Sequence, residues 1–352
     1  MKIMIEAFAL RNVKSGTGRY ALDIITSLSK HHDITAVTRE PDPEALKNLP
    51  TNVKVISANN FRFIPANAYL YLFLGHFLKK YQFDFAIFLI GCRPLFFNKI
   101  YDLVICDFNH KIFPKSVKFI TRQIYRISSF WSIKNCRYLI SISEGTSIKS
   151  KKFYGRESDL IINPSLLKFK NIQPRMVSDI PKDFSIYVGA IEPRKNICNL
   201  LVAHEYAVDN GLISDKLLLV SSQSWFEGEV KSLLSKMEHS ILLSSIEEDE
   251  LAWLYSHANR VYMTTFYEGY GMPAAEGQAF GANIICTDII ELREASKNKA
   301  IYVGTSAIDI YEGIGLSLKR GTSPDTRTFD CSLDLYEKQI DIYLKRISDS
   351  HL

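Results

Sequence analysis

Short apolar runs alternate with amphipathic stretches along most of the chain. Residues 2–8 open it with Ile3, Met4 and Ile5 and predict a strand. Ser15-Gly16-Thr17-Gly18 reads as a turn, and apolar positions at 21, 22, 24, 25 and 28 then recur at helical spacing, so 19–30 is predicted helical. Further short runs at 34–37, 53–57, 85–90, 103–106 and 138–143 have the character of buried parallel strands, with helical stretches such as 117–134 between them. Strand and helix alternating at this spacing predict a parallel sheet covered on both faces.

The alternation pauses after Asn163-Pro164-Ser165, where Pro174 and Pro181 punctuate a polar, weakly periodic segment. It restarts with strands at 186–188, 217–221, 241–243, 261–264 and 283–286, and helices at 199–210, 229–237, 248–258 and 273–280. The expected organisation is an N-terminal α/β domain over 1–165, a linker over 166–183 and a C-terminal α/β domain over 184–330. A terminal segment, 331–352, contains a last amphipathic helix at 333–348 with Leu335, Ile340, Ile342, Tyr343 and Ile347 as its apolar positions.

Composition changes this picture little. With 47% hydrophobic and 23% charged residues over 352 positions, the chain has the makings of two packed cores rather than a disordered protein. The six cysteines form no CxxC pair, which leaves a zinc or thioredoxin-like reading without support and suits a reducing compartment. The first residues make too short an apolar run for a signal peptide, and no stretch reaches the length of a membrane span, so a soluble cytoplasmic protein is expected.

Charge is more telling. Residues 1–183 hold 28 Lys and Arg against 14 Asp and Glu, while the remainder carries the opposite excess. One basic half suggests an anionic partner: nucleic acid, an anionic membrane surface or a diphosphate-linked lipid. With no helix-turn-helix, RRM or zinc signature, nucleic acid is not expected. Residues 66–81 set Tyr, Leu and Phe beside Lys79-Lys80, which fits either a membrane-interface segment or a core helix with a basic end.

Three strand-to-helix turns carry the chemistry. In Glu268-Gly269-Tyr270-Gly271-Met272-Pro273-Ala274-Ala275-Glu276, Pro273 suits the first turn of a helix, and the N–H groups of Gly271, Met272 and that turn favour an anion. Glu268 and Glu276 beside an anion site make sense if the ligand also carries hydroxyls, since a carboxylate accepts well from a diol. An ordinary helix start with turn glycines has the same pattern. In Glu192-Pro193-Arg194-Lys195-Asn196, two adjacent cations precede a helix and suit a diphosphate, as they also suit a solvated loop. Ser15–Arg19 offers a weaker GxG turn, equally readable as a plain turn.

These residues resemble family 4 retaining glycosyltransferases of GT-B architecture. The resemblance rests on Val188-Gly189 with Glu192–Asn196, on Glu268 and Glu276, on Ser141-Ile142-Ser143-Glu144 and on Ser15–Tyr20, and so spans nearly the whole chain. It looks closest to members that act in bacterial O-antigen synthesis as mannosyltransferases. It implies two doubly wound Rossmann-like domains facing across a cleft, with the last helix crossing back to the first domain. It implies that Arg194 and Lys195 bind the donor diphosphate, that Glu268 contacts the donor sugar and that Glu276 contacts the ribose. Gly271, Met272 and Pro273 would line sugar and phosphates, Ser244, Ser245 and Ile246 would hold the base through backbone groups, and Gly18 would approach the phosphates.

The pattern departs from the family at one place: where a His-Asp pair is common, this chain has Cys106-Asp107. Asp107 keeps the acidic member near the acceptor, Cys106 reads as packing, and His110 is either a substitute or a solvated loop histidine. The implied mechanism has no protein nucleophile: the acceptor attacks from the face the leaving phosphate occupied. With no DxD-type motif, no metal or other cofactor is expected. The implied partners are a nucleotide-sugar donor, GDP-mannose as first choice with UDP- and dTDP-sugars open, and a polyprenyl-diphosphate-linked oligosaccharide on the inner face of the plasma membrane. A sugar-nucleotide epimerase, a phosphorylase and a non-catalytic scaffold of the same architecture are the alternatives.

Overall fold

The structure is a computed structural model, and it describes residues 1–58, 66–117, 119–221, 229–244, 246–320 and 327–350. The chain forms two compact units, one of Met1–Ser165 with Leu335–Leu352 and one of Leu166–Asp334.

The first unit is built on a parallel sheet of β1 (Lys2–Glu6), β2 (Asp33–Thr38), β3 (Lys54–Ser57), β4 (Phe85–Phe88), β5 (Tyr101–Ile105), β6 (Leu139–Ser141) and β7 (Leu160–Ile161). Their order is β3-β2-β1-β4-β5-β6-β7. The order reverses between β1 and β4, where Ile3 stands beside Phe85 on one side and Ile34 on the other. β4 and β5 are buried at every position, which is why they read as continuous apolar runs rather than alternating ones.

The N-terminal strand is shorter than the apolar run predicts. It ends at Glu6, and a 3-10 turn, Phe8–Arg11, follows. The Gly-containing segment is likewise already helix: Ser15 caps Gly16–Leu28, its hydroxyl accepting from the Gly18 N–H at 3.1 Å. A side chain on Gly18 would meet the Asn12 carbonyl at 2.0 Å, so close approach of the helix to the preceding turn requires glycine there. Residues 66–81 settle as two short core helices, Ala66–Leu72 and Leu74–Leu78, with Tyr69, Leu70, Leu74 and Leu78 buried.

The last helix, Tyr336–Asp349, belongs to this unit. It buries Tyr336, Ile340, Tyr343 and Ile347, a spacing of one face, while Leu335 and Ile342 point to solvent, contrary to expectation. The Tyr343 hydroxyl donates to Asp102 at 2.6 Å, and Arg137 holds both oxygens of the same buried carboxylate.

The second unit repeats the plan with β8 (Phe184–Val188), β9 (Lys216–Val220), β10 (Ser240–Leu243), β11 (Val261–Met263), β12 (Ile284–Thr287) and β13 (Ile301–Val303). All pair parallel in the order β10-β9-β8-β11-β12-β13, so the reversal falls between β8 and β11. The stretch 287–332, for which the periodicity predicts no element, holds β13 and the helices Ile290–Ala295 and Ala307–Leu318. β13 and β7, which the periodicity also leaves without an element, are three and two residues long, too little apolar signal to stand out. The two sheets are those of the α/β, doubly wound class the sequence predicts.

Candidate active site

In an open parallel sheet, ligands bind outside the carboxyl ends of the two strands where the order reverses, because the connections leave them in opposite directions and open a crevice. In the second unit those strands are β8 and β11. The two charged turns follow these same strands, which brings together residues 73 positions apart.

After β8, Gly189 adopts φ +145°, and the Tyr187 hydroxyl donates to the Ala190 carbonyl at 2.8 Å, folding the turn back on its strand. Pro193–Lys195 forms one 3-10 turn, and Asn196 stands in the left-handed region at φ +58° before the helix Ile197–Asp209. Asparagine tolerates that conformation. Its amide donates to the carbonyls of Thr264 at 3.0 Å and Thr305 at 2.8 Å, tying this turn to the end of β11. A second clip runs the other way: the Phe266 N–H donates to the Arg194 carbonyl at 2.8 Å, and the Thr265 hydroxyl lies 2.9 Å from the same oxygen.

The clips set Lys195 Nζ 2.5 Å from Glu268 Oε1 and the Arg194 guanidinium 3.3 Å from Glu268 Oε2. Arg194 Nε also donates to Glu192 at 2.8 Å. Lys195 and Glu268 are 7% and 6% exposed, so these charges are held largely out of water. Burial alone would raise the Glu268 pKa; the Lys195 and Arg194 cations beside it outweigh burial and hold it below the usual carboxylate range. Two cations and two carboxylates form a balanced cluster, able to give donors to an anion and acceptors to hydroxyls at one place.

Across the second turn, Gly271 takes φ +102°, where a side chain would also meet Leu292 at 2.3 Å. It starts the helix Met272–Ala279, with Pro273 in the first turn. The anion-facing donors are fewer than the sequence suggests. Pro273 has no N–H, and those of Ala274 and Ala275 go to the Gly271 carbonyl, which leaves Gly271 and Met272. Glu276 is buried, with Lys168 Nζ 2.7 Å from one carboxylate oxygen and the Tyr255 hydroxyl donating to the other at 2.6 Å. Each oxygen keeps a second lone pair for a diol. Burial, with Glu276 beside it, pushes the Tyr255 phenol well above its ordinary range, so it stays a donor.

Sequence reasoning missed Lys168, Tyr255, Thr265 and, as a positioning group, Asn196. Lys168 sits in what reads as a linker, and Tyr255 in what reads as a core helix; an Asn directly before a helix was the one available signal. Ile246 lies just before the helix Glu248–His257, partly buried, and Ser245 falls outside the described residues. Gly18 and Asp107 belong to the first unit. Asp107 is exposed after β5, its carboxylate accepting from the Asn109 N–H at 2.9 Å.

The carboxyl edge of that first sheet has a different character. Cys106 is half-buried, its thiol 3.6 Å from the Leu89 carbonyl, and burial pushes its pKa up, ahead of the nearby Asp107 and Glu6 charges. His110 is not a solvated loop histidine. It stands in a short helix, stacked on Tyr125 at 5.1 Å with Nε2 3.3 Å from the Tyr154 hydroxyl, and burial, then Lys111, lowers its pKa to about 4. Glu6, wholly buried at the end of β1, accepts from the N–H groups of Phe8 and Leu89, and burial raises its pKa to about 7 against their pull.

Among the described residues, the group of side chains able to hold a metal ion is Glu205, Asp209 and His239, at the opposite edge of the second sheet. His239 Nε2 lies 3.7 Å from Asp209 Oδ1 there, and Lys216 Nζ lies 3.0 Å from the other ring nitrogen, Nδ1.

Comparison with known proteins gives the chain a family match, relatives and fold neighbours. Residues 169–321 match the family described as glycosyl transferases group 1. Over 191 residues the chain is 21% identical to O-antigen chain mannosyltransferase B of Escherichia coli, covering 51% of this chain and 50% of that protein, so it spans about half of that relative's length. Over 310 residues it is 25% identical to O-antigen chain mannosyltransferase RfbU of Salmonella typhimurium, covering 82% of this chain and 84% of that one. The sucrose-phosphate synthase of Thermosynechococcus elongatus shares the fold, with a TM-score of 0.69 at 15% identity over 99% of this chain and 100% of that one.

Proposed function

With a glycosyl transferases group 1 domain over residues 169–321 as the premise, we propose that this hexosyltransferase moves mannose from GDP-mannose to a polyprenyl-diphosphate-linked oligosaccharide, with retention, in bacterial O-antigen synthesis. The observation that carries the donor side is the buried Arg194–Lys195–Glu268 cluster at the reversal point of the second sheet.

In this reading a diphosphate takes the Arg194 and Lys195 donors together with the Gly271 and Met272 N–H groups. Glu268, relieved of part of its pairing, accepts from sugar hydroxyls. Glu276, fixed by Lys168 and Tyr255, accepts from the ribose. The bond from the sugar's anomeric carbon to the phosphate oxygen breaks first, and the acceptor oxygen bonds that carbon from the same face. The acceptor proton passes to the departing phosphate. Arg194 and Lys195 stabilise the charge that grows there, and because they sit in a dry, fixed site they need no rearrangement to do so. Two cations already meet that charge, so turnover is metal-independent and survives chelation by EDTA. Asp107 serves the acceptor side. The choice of mannose and of O-antigen synthesis leans on what the two relatives are named for, and the lipid-linked acceptor on the family resemblance of the sequence.

The experiment is a thermal-shift screen of GDP-, UDP- and dTDP-sugars, followed by NMR of the product's anomeric configuration. A ligand at a hundred times its Kd stabilises the native state by about 2.7 kcal/mol. A shift with GDP-mannose and an α-linked product are expected. No shift with any nucleotide sugar would sink the reading, and a shift without transfer to any acceptor would favour a binding scaffold.

A further inference from the structure

The helix Phe119–Asn135 shows two faces of different chemistry. Its inner face is anchored: Ser128, Ser132 and Ile133 are buried, the Tyr101 hydroxyl donates to the Ser132 carbonyl at 2.9 Å, and the Arg93 N–H donates to the Ser132 hydroxyl at 2.9 Å. Its outer face is apolar. Phe119 is 66% exposed, Ile127 60%, Phe130 44% and Trp131 61%. Single exposed apolar residues are ordinary, but four large ones on one helix face are a patch that wants a partner.

Cations frame this face. The Arg122 guanidinium lies 5.4 Å from the Phe119 ring centre, Lys134 Nζ lies 6.0 Å from that of Phe130, and Arg126 is exposed between them. From 108 to 143 the sequence holds seven Lys and Arg and no Asp or Glu. The next helix, Glu144–Tyr154, adds exposed Ile148, Lys151 and Lys152. Aromatic side chains with neighbouring cations are the composition of a helix lying in a bilayer interface, rings at the acyl boundary and charges at the headgroups. The same face of a second copy fits poorly, because it would bring the same positive charge to the contact. Residues 66–81, the sequence's own candidate for such a surface, spend their apolar side chains in the core.

We propose that the outer face of helix Phe119–Asn135 docks on an anionic phospholipid bilayer, with Phe119, Ile127, Phe130 and Trp131 in the interface and Arg122, Arg126 and Lys134 on the headgroups. The purpose of this surface rests on the lipid-linked acceptor proposed above; the surface itself rests on exposure and charge.

The test is sedimentation of the full-length protein with phosphatidylcholine vesicles, with and without phosphatidylglycerol, at low and high salt. Wild type is expected to pellet with anionic vesicles at low salt, with a blue shift of Trp131 emission that the Trp131→Phe variant lacks. Two variants, Ile127→Ser with Trp131→Ser and Arg126→Glu with Lys134→Glu, are each expected to weaken binding by about tenfold or more. Both keep the wild-type melting temperature and donor-induced shift, since these side chains are exposed. Vesicle binding that survives both variants, a wild type that stays in the supernatant, or self-association of the wild type that both variants abolish would overturn the proposal. A wild type that binds vesicles but no nucleotide sugar would leave this surface standing and remove the transferase reading instead.

Discussion

The two sheets share one strand order around one reversal point, yet their carboxyl edges hold opposite chemistry. In the second unit, buried Lys195 and Glu268 stand 2.5 Å apart; the paired cations hold the Glu268 carboxylate below its usual range despite burial, while burial lowers the pKa of Lys195 against the pull of Glu268. In the first unit, Glu6, Cys106 and His110 are buried or half-buried, and burial is the leading cause of each shift toward the neutral form. Topology provides a crevice in both units; whether it keeps charge depends on whether the turn residues bring a counter-charge. A charged edge suits a diphosphate, and a neutral one does not. This is why the proposed donor is assigned to the second unit.

The contrast can be broken most forcefully at Glu268. Glu268→Gln removes the charge between two cations, and turnover should fall by about 10²–10³-fold, measured with saturating donor. An effect below tenfold would mean that pairing at this edge is structural only. Asp102→Ala tests the first unit, where the carboxylate holds Arg137 and Tyr343. Removing the buried carboxylate takes away the ion pair of half-buried Arg137 and the Tyr343 hydrogen bond, and should cost about 3 kcal/mol in denaturant titration, while the donor-induced shift persists if the donor site belongs to the second unit.

Glu6 gives a pH signature of the neutral edge. Its pKa rises from 4.5 to about 7 on folding, so its contribution to stability is complete below pH 4.5 and is lost as pH rises toward 7. Stability should decline over that window by up to about 1.4 kcal/mol per pH unit, and Glu6→Gln should flatten the slope. A profile that rises with pH and ignores the substitution would contradict the burial argument. The smallest effect belongs to Cys106. Cys106→Ala should change turnover by less than about twofold, since a half-buried thiol kept protonated acts as a small apolar group.

Much of the candidate site was legible because its parts are local. Arg194-Lys195 and Glu268 to Glu276 each follow an apolar run and open a helix, and adjacency in sequence suffices to notice them. Their meeting was legible only through the family resemblance, which assigns both turns to one donor; the strand order that sets β8 beside β11 leaves no mark on either segment. Lys168 and Tyr255 escaped for the same reason: their roles exist only through Glu276. The segments 66–81 and 119–135 teach a related limit. Both mix aromatic residues with Lys or Arg, and only packing reveals that Tyr69 and Leu74 face inward while Ile127 and Trp131 face out. The strand β13 was lost to brevity, and His110 to its aromatic neighbours Tyr125 and Tyr154, which are distant in sequence.

The most direct test of the central claim is transfer of labelled mannose from GDP-mannose to a polyprenyl-diphosphate-linked oligosaccharide by wild type and by Lys195→Ala, side by side. Wild type should transfer the sugar, and Lys195→Ala should lose about 10²-fold or more of that rate while remaining folded. Equal rates in the two proteins would show that the Arg194–Lys195–Glu268 cluster does not hold the leaving diphosphate.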